Sequence, residues 1–200
     1  MSNQQKMNFC KVLVLVSLIT VSACASNHKT LDRSITGPQV IVNPESIRLG
    51  VVKLLGTKIA FVELKPTNIV FEGSGFKPKD SIFITLTGPN QTKVVLADAT
   101  IQPDGNFKAE VSKLTKITEI LRADAGFEIK EKYEEFIILT QPPIPEGVYT
   151  VKVTCMSSDL TAETKLAVKG PTLFNRMMDW LGKKKGKIQD RRVKQKIPVP

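Results

Sequence analysis

The chain of 200 residues is poor in the residue types that carry most chemistry: three cysteines, one histidine and one tryptophan. It also lacks any apolar run long enough to cross a bilayer, which takes about 20 residues. The longest, centred on VLVLVSLIT (12–20), is too short for that. A Ser-His-Asp arrangement would have to recruit His28 from the polar, aperiodic stretch 25–38, which is a poor way to preorganise a base. The glycines of GSGFKPKD (73–80) lack the Lys-Ser/Thr ending that a phosphate-binding loop requires. Asp98, Asp104 and Asp124 are not spaced as the ligands of one calcium loop. Paired carboxylates can serve as acid and base. Here Glu128, Glu131, Glu134 and Glu135 interleave with Lys130 and Lys132, the pattern of a solvated face. No catalytic residue, cofactor or metal is therefore expected, and the chain reads as a non-enzyme.

What the sequence does contain begins with an export layout. Lys6 and Lys11 supply a positive n-region, the apolar core follows, and Ser22 and Ala23 lead into Cys24. Val21-Ser22-Ala23-Cys24 resembles the lipobox of bacterial lipoprotein signal peptides. The resemblance implies cleavage before Cys24, lipid modification of its sulfur, and a membrane anchor made by several acyl chains. Ala25 and Ser26 follow the cysteine. In the sorting rule of two-membrane bacteria, this implies the outer membrane; with one membrane, the protein would sit on its outer face.

With residues 1–23 removed and Cys24 acylated, Cys155 has no cysteine to pair with, and one histidine plus one thiol cannot build a zinc site. Cys155 shares a strand face with Tyr149, Val151 and Val153, which predicts a buried thiol. The net charge of +10 is unevenly spread. Residues 171–200 hold nine Lys and Arg against Asp179 and Asp190, and residues 24–170 are nearly neutral. The basic pI belongs to a tail, so nucleic acid is not the expected partner.

After the tether (24–38), the chain is written in short strands with turn punctuation: 39–42, 46–54, 58–64, 67–72, 81–87, 92–99, 106–112, 135–140, 148–155 and 161–169. This spacing predicts a mainly β domain over 39–170, a β-sandwich with extra N-terminal strands. One segment differs. Leu114, Ile117, Ile120 and Leu121 recur at helical spacing, and Gly126 offers a stop, which predicts a short amphipathic helix over 113–126. The phrases FEGSGFKPKDSIFITLTG, ATIQPDGNFKAEV, IPEGVYTVKV and LTAETKLAVKG resemble bacterial cell-surface immunoglobulin-like domains. That resemblance covers 67–170 and implies a tyrosine corner at Tyr149 and a Phe76 turned into the open end of the sandwich.

Pro171 breaks the last strand, so the domain is expected to stop at Gly170. Thr172 can cap a helix carrying Leu173, Phe174, Met177, Met178, Trp180 and Leu181 on one side, with Gly182 able to end it. Phe174, Met177, Trp180, Lys183, Lys184, Lys185, Lys187, Arg191 and Arg192 are the candidate contact residues for an anionic membrane surface or an envelope protein. The alternative is that Phe174 and Trp180 pack on the domain and the basic run stays loose. Two functions fit: an accessory or docking component of an envelope assembly, held by lipid and tail, or a surface binding module presenting its loops to a protein or glycan.

Overall fold

A computed structural model describes residues 28–53, 60–65, 68–129 and 133–192. Cys24, the signal segment, the start of the tether, Glu131 and the basic Lys194 and Lys196 lie outside the described residues.

Alternating apolar residues set the strands. In Ser81–Thr87, Ile82, Ile84 and Leu86 are fully buried and Phe83 points out. The strands are β1 (Gln39–Asn43), β2 (Ser46–Lys53), β3 (Ala60–Lys65), β4 (Val70–Ser74), β5 (Ser81–Thr87), β6 (Lys93–Thr100) and β7 (Phe107–Glu110). They continue with β8 (Ala123–Ile129), β9 (Tyr133–Leu139), β10 (Gly147–Cys155), β11 (Thr161–Lys169) and β12 (Ile188–Asp190). Each strand expected from the sequence is present, and β8 and β12 are additions.

The molecule is mainly β and holds three sheets among the described residues. Their orders are β1-β4-β7, β3-β2-β11-β10-β5-β6 and β12-β9-β8. Most pairs are antiparallel, but β2 runs parallel to β11 and β12 parallel to β9. All three sheets feed one hydrophobic core. Val42 and Phe71 come from the first, Leu86, Tyr149, Val151 and Leu166 from the second, and Ile137 and Ile188 from the third. Each such side chain taken fully from water contributes about 1.5–3 kcal/mol.

Two ring positions hold the ends of this core. Tyr149 is fully buried and its hydroxyl donates to the Pro145 carbonyl at 2.7 Å, while burial pushes its pKa up. Its ring lies against Gly88, where an added Cβ would come 2.2 Å from Cδ1. Phe76 is also buried, edge-on to Phe107 at 5.4 Å between ring centres. The loop glycine beside it, Gly75, adopts a left-handed φ of 78°. Cys155 is a buried free thiol whose pKa burial raises.

Two expectations need correction. The helix expected over 113–126 is shorter: α1 (Lys113–Thr115) continues as a π-helical turn over Lys116–Ile120 and stops. The Ser112 hydroxyl caps it by accepting from the Thr115 amide at 3.0 Å. Ile117, Ile120 and Leu121 do reach the core, but Leu114 is exposed. Arg122 then turns the chain with a φ of 51°, and Ala123 starts β8, whose backbone finds partners on β9. The domain also does not stop at Gly170. β11 ends at Lys169, but the chain continues into helix α2 (Leu173–Lys184) and β12, whose Ile188 is part of the core. Gly182 lies inside α2, buried, and does not end the helix.

Candidate docking surface

Thr172 caps α2, its hydroxyl accepting from the Asn175 amide at 3.1 Å. The helix packs on β2 and β3. Asn175 and Gly182 are buried against the domain, and Met178, Asp179 and Leu181 are half-buried. Asn175 Nδ2 donates to the Leu49 carbonyl at 3.2 Å. The outer side carries the large apolar residues: Leu173 is 83% exposed, Phe174 62%, Met177 53% and Trp180 60%. A surface helix ordinarily buries its apolar stripe and shows its polar face. In α2 four large apolar residues lie instead on the exposed side, and only Met178 and Leu181 of its apolar set are half-buried.

The reason lies in what each side meets. Gly182 is buried on the inner side, and the Asn175 amide donates to the carbonyl of Leu49 in β2. Among the described residues, the contact recorded on the apolar stripe is that of Lys184 with the Trp180 ring. Phe174 and Trp180 therefore do not pack into the core, which disposes of that alternative for the two rings.

The basic residues fall into two groups. Lys183 and Arg192 are turned to Asp190: Lys183 Nζ reaches Oδ2 at 2.6 Å, and Arg192 Nε reaches Oδ1 at 2.7 Å. The Arg192 guanidinium, with help from Lys183, holds the Asp190 carboxyl far below the usual range. Asp179 is shifted the other way by burial, against the pull of Lys183 and Arg192, and its Oδ1 has no hydrogen-bond partner. Both residues thus serve the clasp between α2 and β12 rather than an outside surface.

Lys184 is in the second group. Its ammonium lies 5.3 Å from the centre of the Trp180 ring, a cation–π contact on the stripe itself. Lys185 and Arg176 are exposed beside it, and Arg191 is exposed with its guanidinium on Gln189. The half-buried Lys187 gives its carbonyl to the Ile137 amide. Phe174, Met177, Trp180, Lys184 and Lys185 are thus gathered on one helix, and Lys183 and Arg192 are engaged elsewhere. No helix among the described residues is long and apolar enough to cross a membrane.

Elsewhere, Glu128 sits opposite Glu134 in the β8–β9 pairing and is exposed. Among the described residues, no three His, Cys, Asp or Glu side chains gather as a metal site would require. A polar cleft of about 370 Å³ mixes Lys93 and Arg122 with Glu119 and Asp124, and was not foreseen from the sequence. Its residues come from β6, the 113–122 segment and β8, so only the fold brings them together. No protein-family model matches this chain, and no curated protein matches it at a significant level.

Proposed function

We propose that this chain is a lipid-anchored, non-enzymatic accessory protein of a bacterial cell envelope, whose C-terminal helix is a docking surface. The observation that carries the docking half is the exposed apolar stripe of α2, where Leu173, Phe174, Met177 and Trp180 are each more than half exposed and Lys184 and Lys185 lie with them on the surface. The anchoring half rests on the lipobox-like Val21-Ser22-Ala23-Cys24 and places the lipid on Cys24, with the outer membrane as the destination in a two-membrane host. The core is an immunoglobulin-like sandwich in this reading. The Tyr149-to-Pro145 hydrogen bond supports it, being the contact a tyrosine corner makes.

The loop-presenting module is the weaker reading. Phe76 and Ile144, the large apolar residues of two of the loops it would use, are buried and committed to the core.

The test uses the full-length chain in its host. Cys24→Ser should abolish acylation and release the protein from membranes, and retention at high salt would refute the anchor. Phe174→Ser with Met177→Ser, in the acylated protein, should remove crosslinks to envelope components. A crosslinking pattern unchanged toward lipid and protein alike would refute docking through α2.

A further inference from the structure

The structure points to a single bilayer serving both attachments: we infer that the α2 stripe docks on the anionic lipid surface into which the Cys24 lipid is inserted, so the domain lies against its own membrane. This rests on the lipid anchor proposed above and names the partner of the helix.

The first observation is a short leash. Residues 28–38 carry no regular secondary structure, but they are not free along their length. The Lys29 amide donates to Asn43 Oδ1 at 2.9 Å, and Asn43 Nδ2 donates back to the Lys29 carbonyl at 2.9 Å. Asn43 is buried, so this reciprocal pair fixes the backbone of Lys29 to the end of β1. Lys29 Nζ adds a 2.8 Å ion pair to Glu45. The sequence reading allowed a tether as far as residue 38. The covalent path from Cys24 to the fixed Lys29 is five residue steps, at most about 19 Å at 3.8 Å per step.

The second observation is where that leash is fixed. Lys29 is held at Asn43 and Glu45, immediately before β2. Helix α2 is held to the same strand, through Asn175 on the Leu49 carbonyl. Glu45 and Leu49 are four residues apart, about 13 Å along the chain. Lys29 is thus held just before β2 begins, and α2 is held at the fourth residue of that strand. A domain of this size is roughly 40 Å across, so α2 stays within reach of the bilayer that holds the lipid. Confinement of that kind gives a local concentration near millimolar, enough to make a weak surface contact persist.

The third observation is chemical. Trp180, Phe174 and Met177 suit the boundary between headgroups and acyl chains, and Arg176, Lys184 and Lys185 flank them. The one acid of α2, Asp179, is on the inner side. Each cation near an anionic surface strengthens the contact.

Trp180 is the only tryptophan in the chain, so its fluorescence reports α2 alone. The acylated protein is purified from membranes of cells expressing the full chain, and the acyl groups on Cys24 are verified by mass. It is then reconstituted into phosphatidylglycerol-containing vesicles whose acyl chains are brominated. Docking on the same bilayer requires quenching and a blue shift of Trp180 there. It also requires no quenching when brominated vesicles are added to protein already seated in unbrominated ones. Lys184→Glu with Lys185→Glu should lose the quenching. An acylated protein quenched only by the added vesicles, or by neither, overturns this inference and leaves the lipid anchor standing. Absence of acyl groups overturns the anchor and this inference together.

Discussion

Asn175 Nδ2 and the Leu49 carbonyl, 126 positions apart in sequence, meet at 3.2 Å beneath α2. That bond explains how a helix with its apolar side outward stays on the domain. Half-buried Met178 and Leu181, a satisfied polar contact, a capped N-terminus and the β12 pairing together hold it. Asn175→Ala removes a buried side-chain hydrogen bond, which costs about 0.5–1.5 kcal/mol. Chemical denaturation should show that loss, and proteolysis should cut first near α2.

The Tyr149 corner gives a second test. Tyr149→Phe removes only the hydrogen bond to Pro145, worth about 0.5–1.5 kcal/mol. Tyr149→Ala or Phe76→Ala should each cost about 3–5 kcal/mol, because both rings are buried. Gly88→Ala should also destabilise strongly, since its Cβ would overlap the Tyr149 ring.

Asp179 and Asp190 should respond to pH with opposite sign. Asp190 has a folded pKa below its unfolded one, so its stabilisation is complete above the ordinary carboxylate range and is lost as pH falls. Asp190→Asn should lower stability at pH 7 by under about 1 kcal/mol, as expected of a largely exposed cluster. That difference should shrink below about pH 4. Asp179 has a folded pKa above its unfolded one, so ionising it costs stability as pH rises through the folded value. Asp179→Asn should therefore raise the denaturation midpoint at pH 7, and the gain should fade towards pH 3. Matched denaturation curves at the two pH values check both signs.

The strands were legible because alternation and turn residues mark them locally. Ile82, Ile84 and Leu86 announce β5 with no help from the rest of the chain. β8 was hidden because ADAGFEI has little alternation and its Gly126 resembles a helix stop. The glycine is there for another reason: a Cβ would come 2.3 Å from the Phe136 ring across the hairpin. β12 was hidden because its whole apolar signal is Ile188, inside a basic run. The outward stripe of α2 was legible only in part. Its periodicity and its Thr172 cap were visible, but which side faces the domain depends on Leu49, far away in sequence.

The outward stripe makes the final prediction. If Phe174, Met177 and Trp180 belonged to the core, replacing them with polar residues would remove several kcal/mol each. Exposed side chains away from structural contacts change stability by about 0.5 kcal/mol or less. Phe174→Ser and Met177→Gln should therefore leave the denaturation midpoint nearly unchanged, singly and together. Trp180→Gln also gives up the contact with Lys184, worth about 0.5–1 kcal/mol at an exposed site, and should lower the midpoint slightly. All three should raise solubility, because they remove a contiguous apolar patch. Asn175→Ala in the same experiment provides the contrast, a small inner residue whose loss is felt by the fold. A stripe variant as destabilising as Asn175→Ala would mean that the outer face is structural, and docking would lose its physical basis. Stable stripe variants that no longer associate with the envelope would separate folding from docking, with the docking residues all on the outer side of one helix.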